Sequence, residues 1–159
     1  MVFGFGVAVK AKTSFYVLPN KDGKFETSFG DIEENIPRDL GHLNIRLEAE
    51  AKADDDYIYI DGQSNLLGGS ILSVIVLTKE EEFINMGQYV IVNPDGSFNL
   101  IMENQDDYDQ YDELFIEFSF APTELSSSWI IEHYGVEGEK MKGDLVKNNH
   151  TYLIIPIEE

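Results

Sequence analysis

Residues 87–120 read GQYVIVNPDGSFNLIMENQDDYDQYDELFIEFSF, and the fold turns on how this stretch is laid out. Tyr89 to Val92 is an apolar, β-prone run. Asn93-Pro94-Asp95-Gly96 follows: the proline presets φ, the aspartate bonds its own backbone, and the glycine accepts a positive φ, which predicts a hairpin turn. The chain then returns with Phe98, Leu100 and Met102 on one face and crosses an acidic loop from Glu103 to Glu113. It leaves again with Leu114, Ile116, Phe118 and Phe120 alternating against Phe115, Glu117 and Ser119. Three such runs in succession predict consecutive strands of a sheet with one buried face.

The flanking sequence extends the pattern in both directions. Ile71 to Thr78 is apolar on both parities except at Ser73, as a central strand requires. Leu43, Ile45, Leu47, Ala49 and Ala51 alternate with Asn44, Arg46, Glu48, Glu50 and Lys52, a half-buried strand whose period outweighs its helix-favouring residues. Tyr57 to Ile60 is β-prone, and Asp61 to Ser70 reads as a turn region. Nearer the N-terminus, residues 2–18 suggest one or two strands and Asn20 to Lys24 a turn. Thr27 to Gly41 reads as loop, with a helical turn around Asp31 to Asn35. On the C-terminal side, Ser126 to Tyr134 followed by Gly135 has the caps of one short helix, and Tyr152 to Ile157 is a last strand that Pro156 should keep near an edge.

Seven to ten short strands with one helix, and no repeating strand-helix unit, predict an all-β fold: an antiparallel immunoglobulin-like β-sandwich. Ala53-Asp54-Asp55-Asp56 suggests a boundary, with residues 1–52 as an N-terminal β-hairpin extension and 53–159 as the sandwich. The extension would add strands to the sheets or make a subunit contact between like chains.

At 159 residues the chain is long enough to bury one core, and its ten phenylalanines and eight tyrosines make the 26% charged residues a surface property. The formal net charge is −19, and nearly all of the excess lies after Lys52. A field of that sign repels nucleic acid and anionic membranes and attracts basic protein surfaces. Without cysteine there is no disulfide framework and no thiolate chemistry. The opening MVFGFGVAVKAK places its lysines after its apolar run, which is not the order of a secretory signal, and no segment has the length of a membrane span, so a cytoplasmic location is expected.

From Tyr57 onward the order of features resembles small immunoglobulin-like or transthyretin-like sandwich modules of bacterial proteins. A Gly-rich turn at Asp61-Gly62 to Gly69-Ser70 precedes an apolar strand, and later strands end at Pro94-Asp95-Gly96-Ser97-Phe98 and Phe120-Ala121-Pro122. Tyr134-Gly135, Gly138-Glu139 and Gly143 follow. The resemblance implies adhesion, spacing or partner binding rather than catalysis, and it carries no catalytic residue onto this chain.

The candidate site is the acidic loop. Asp106, Asp107, Asp109 and Asp112 supply charge, and Tyr108 and Tyr111 supply rigid contact area for a protein partner with a basic surface. Asp54 to Asp56 would form a second edge if the loops share one end of the molecule. One alternative makes these carboxylates a mimic of nucleic-acid phosphates that inhibits a nucleic-acid-binding protein. A second makes them, with Asp61, a calcium site, although the Asp-x-Asp-x-Asp-Gly order of an EF-hand is missing. No metal and no cofactor is expected. His42, His133 and His150 lie in separate segments without zinc-site spacing, and no nucleophile elbow or phosphate-binding loop is present, so no enzyme is predicted. Trp129 reads as part of a helix docked over the sandwich, and Asn149-His150-Thr151 as a sequon without consequence.

Overall fold

The computed structural model describes residues 36–123 and 125–159, and the backbone of two short strands ahead of them. These strands, β1 (Leu18–Pro19) and β2 (Phe25–Glu26), pair antiparallel with Leu18 opposite Glu26. They form a two-stranded sheet apart from the main one. The other expectations for residues 1–35 lie outside the described residues.

The main body holds β3 (Leu47–Ala53), β4 (Tyr57–Ser64), β5 (Ile71–Thr78), β6 (Gln88–Ile91), β7 (Ser97–Glu103), β8 (Leu114–Phe120), β9 (Val146–Lys147) and β10 (His150–Glu158). A 3-10 turn, η1 (Asp106–Gln110), precedes β8, and one α-helix, α1 (Ser128–Tyr134), follows it. The described residues are therefore mostly β, with one short α-helix among them, capped by Gly135 at φ 94°.

The strands follow the order β6-β5-β8-β10-β3-β4-β7, with β9 paired to β10, in one mixed sheet that curls almost into a barrel. The all-antiparallel expectation fails at one ladder. β10 runs antiparallel to β8 from Thr151 to Pro156, then meets β3 in parallel at Ile157 and Glu158. Pro156 accordingly lies inside the sheet, not at its edge. It has no N–H to give, and the ladder to β3 begins only at the next residue.

The Asn93–Gly96 turn forms, with Gly96 donating to the Asn93 carbonyl at 2.9 Å, but it does not join neighbouring strands. β6 and β7 sit at opposite ends of the strand order, so the turn is a corner between two half-sheets and the expected hairpin is corrected. Its carbonyls are claimed by β4: Ser64 N–H donates to Gly96 O at 2.8 Å, and Gln63 Nε2 to Asp95 O at 2.8 Å. Gly62 completes the capture. It lies opposite Phe98, and a Cβ there would fall 2.0 Å from the Phe98 ring. Asp61-Gly62 is thus strand rather than turn, because the missing side chain makes room for an aromatic neighbour.

The boundary expected after Lys52 falls inside β3, which pairs with β4 along its whole length and buries Leu47 and Ala51. Residues from Ile45 onward therefore belong to the same body.

The core lies between the half-sheets. β3, β4 and β7 contribute Leu47, Ile58, Ile60, Phe98 and Met102; β5 and β8 contribute Leu72, Val74, Val76, Ile116, Phe118 and Phe120. Phe98 meets Phe118 across the gap with ring centroids 5.6 Å apart. Burying one such side chain contributes roughly 1.5–3 kcal/mol. One end is covered by α1, through buried Ile130 and Tyr134. The Tyr134 ring packs edge-on against Phe120, and its hydroxyl accepts the Leu67 N–H at 2.9 Å. Burial pushes that phenol up to about 12, so it stays protonated. Trp129 is half-exposed on the outer side of the helix, over Gly69.

On the outer surface of β6-β5-β8-β10 the register sets two cross-strand rows side by side. One row is Tyr89, Ser73, Ser119 and Tyr152; the other is Ile75, Glu117 and Ile154, and Ile91 beside Ile71 extends the first flank.

Candidate functional site

The end opposite α1 carries the acidic loop, and its shape is built from the core outward. Tyr108 points inward and is only 3% exposed, so η1 is pinned rather than free. Burial raises the Tyr108 hydroxyl pKa, a hydrogen bond with the Asn85 side chain offsets part of this, and the charge of Asp107 adds to it. The turn closes on itself through Tyr111 N–H to Tyr108 O at 3.0 Å. Asn104 ties it to the β3–β4 turn, donating from its backbone to Asp56 O (2.8 Å) and from its side chain to Asp54 O (2.7 Å). That turn is organised by the Asp54 carboxylate, which accepts from the amides of Tyr57 (2.7 Å) and Asp56 (2.9 Å) and from the Tyr59 hydroxyl (3.0 Å). Those donors hold its pKa below the ordinary aspartate value.

Between the two turns and the end of β10 lies an open cleft of about 1000 Å³. Its carboxylates are Asp54, Asp55, Asp109, Asp112, Glu113 and Glu159; its apolar surface comes from Ala53, Ile58, Leu114, Phe115, Pro156 and Ile157, with Asn104, Tyr108 and Tyr111 between. Asp54 and Asp55 thus meet the acidic loop at one end of the body, the condition on which a second edge depended.

The six residues singled out in the loop divide three ways. Asp109, Asp112 and Tyr111 line the cleft. Asp106 and Asp107 are exposed but outside it. Tyr108 is a core anchor and offers a partner little area. Asp61 sits in mid-strand opposite Glu50 and Asn99, away from the cleft, and Asp56 is not part of its lining. The apolar surface was missed in the sequence, since it depends on which strand ends meet; only the acidic run ending at Leu114 hinted at it.

Of the carboxylates in the lining, Glu113 is ion-paired among the described residues, with Lys79 Nζ at 2.8 Å, and that contact raises the lysine pKa. No three carboxylate or imidazole groups among the described residues are grouped so as to hold a metal ion. The histidines do not converge: His133 Nε2 lies 2.6 Å from Gly41 O, and His150 Nδ1 lies 2.9 Å from Asn148 O. Asn148 and Asn149 both have positive φ (49° and 65°) in the tight β9–β10 turn, which explains the Asn-Asn pair by backbone geometry. No helix among the described residues is long and apolar enough to cross a membrane.

Compared with protein-family models, with curated proteins and with solved structures, the chain has no significant match.

Proposed function

We propose that the chain is a non-catalytic protein-binding module that holds a basic surface of its partner at the acidic end. One observation carries the reading: the cleft gathers six carboxylates from three separate segments, and among the described residues only Glu113 of these six is ion-paired. Such an arrangement leaves charge available to an incoming lysine or arginine, while Tyr111 and the apolar surface give the stem of that side chain something to lie against. The two half-sheets facing each other over Phe98 and Phe118 support reading the body as a variant of an immunoglobulin-like or transthyretin-like module, with the cleft at its loop end.

The test is capture of proteins from the native host at low and high salt, using the unaltered chain and a variant with Asp106, Asp107, Asp109 and Asp112 changed to Asn. The variant should lose salt-sensitive partners and melt at the same or a higher temperature, because like-charge repulsion falls. Undiminished capture by a folded variant would remove the acidic loop as the binding surface. Competition by DNA for the captured protein would identify the partner as a nucleic-acid-binding protein and the carboxylates as phosphate mimics.

A further inference from the structure

β7 ends the strand order, so one of its sides meets β4 and the other is paired with no strand among the described residues. The register says which backbone groups that leaves open. Ser64 N–H donates to Gly96 O at 2.8 Å and Asn104 N–H to Asp56 O at 2.8 Å, so the bonded pairs of this antiparallel ladder fall on Phe98, Leu100 and Met102. Asn99, Ile101 and Glu103 therefore aim their N–H and C=O groups away from β4, as the Ser97 carbonyl does where it accepts the Asn93 N–H at 2.8 Å. All three are exposed, Ile101 by 61%. Soluble proteins blunt such an edge with lysine, proline or a bulge. β7 has none of these, and Ser97–Glu103 keeps one unbroken register with β4.

We propose that this edge takes up an extended basic segment of the partner, which adds a strand to the sheet beside β7. The open backbone groups set the shape of the occupant, because an extended chain presents donors and acceptors at their spacing. Charge sets its chemistry. Glu103 stands on the edge itself, Asp61 one strand in beside Asn99, and Glu50 beyond it. Lys52 is the one cation on the outward positions of β3, β4 and β7, and it lies 3.8 Å from Glu50. Exposed Asp106 and Asp107, which the cleft leaves out, come just after Glu103. A second copy is the wrong occupant: its edge brings the same carboxylates, and a net charge of −19 on each body keeps two such edges apart. Outward residues of the added strand would lie beside Asn99, Ile101 and Glu103, where lysine or arginine suits. Those of the other parity would lie beside half-buried Leu100, where an apolar side chain suits. β6, at the other end of the strand order, offers only the short run Gln88–Ile91 and no charge to select a partner. For the sign of the partner the inference rests on the function proposed above, but the surface is separate from the cleft.

Hydrogen exchange of the isotope-labelled full chain, read amide by amide, tests this with a synthetic heptapeptide of alternating lysine and valine at saturating concentration, and with its glutamate–valine counterpart. The lysine peptide should slow exchange at Asn99, Ile101 and Glu103 by roughly tenfold or more, and the glutamate peptide should not. Phe98, Leu100 and Met102, already bonded to β4, should stay as they were, and so should Tyr89 and Ile91 on β6. Ile101→Pro removes the central donor where an edge strand tolerates proline, and should abolish the protection with circular dichroism unchanged. If that variant unfolds, Asn99→Lys at an exposed position should weaken the lysine peptide several-fold by repulsion. No protection, protection without the alternation, or protection confined to β6 overturns the proposal. So do three amides already protected without peptide, which would mean that another part of the chain occupies the edge. The cleft fails or stands separately: capture lost by the Asp-to-Asn chain with β7 unprotected sinks the strand addition alone, and β7 protected with capture undiminished sinks the cleft alone.

Discussion

Glu117 faces outward from the middle of β8 with Ile75 and Ile154 as its cross-strand neighbours. Burial, and to a lesser extent the charge of Glu81, raises its pKa above the ordinary glutamate value. An acid whose pKa is raised on folding is fully neutral in both states at low pH and contributes nothing there. As pH climbs through the unfolded value, the unfolded chain releases its proton first, and the native state carries a penalty that is complete above the folded value. Glu117→Gln should therefore raise the urea midpoint at neutral pH, and the gain should vanish well below the ordinary glutamate pKa. A variant no more stable than the parent at neutral pH would mean that solvent already screens the carboxylate. Asp54 has the opposite sign: its donors lower its pKa, so its support for the β3–β4 turn is present at neutral pH and is lost on acidification. Of the residues that form the acidic end, the carboxylates were legible one by one, because charge is a property of composition. Tyr108 was not, because an aromatic among aspartates reads as a contact residue until the inward turn of η1 buries it.

The contact between β4 and β7 rests on Gly62 and Phe98, and here the test is steric. Gly62 has no positive φ to explain it, and a methyl group would meet the Phe98 ring rather than open space. Gly62→Ala should cost roughly 1–3 kcal/mol in denaturant unfolding by overpacking. Combined with Phe98→Leu, it should cost less than the sum of the two single changes, since the clash goes with the ring. Strict additivity would show that the glycine serves the backbone and not its neighbour. The same pair explains what periodicity conveyed and what it did not. Period-two alternation located β3, β5 and β8 to within a few residues, because each must put one face into the core. Which strands pair is decided by longer-range matches such as a glycine slot and a phenylalanine. Asn-Pro-Asp-Gly has the same local chemistry at a hairpin as at a corner between sheets, and the apolar surface of the cleft appears only once three strand ends have met.

For the whole molecule, thirty carboxylates against eleven basic side chains make self-repulsion a global term in stability. Raising sodium chloride from low to moderate concentration should raise the melting temperature, at roughly 2–4 °C per kcal/mol relieved for a domain of this size. Calcium chloride at matched ionic strength should add little if the acidic end is a protein-binding surface. A large further rise with calcium alone would reinstate a metal site there. The seam of the barrel bears on how such a body comes together. Ala51 and Lys52 pair with Ile157 and Glu158, so the clasp joins β3 to β10, the first and last strands of the main sheet in chain order. During synthesis β3, β4 and β7 can associate while β10 is still inside the ribosome, but only as an open trough with Ile58, Ile60 and Phe98 facing water. Closure waits for β10 to emerge, and until then the nascent chain is at its most vulnerable to capture and aggregation.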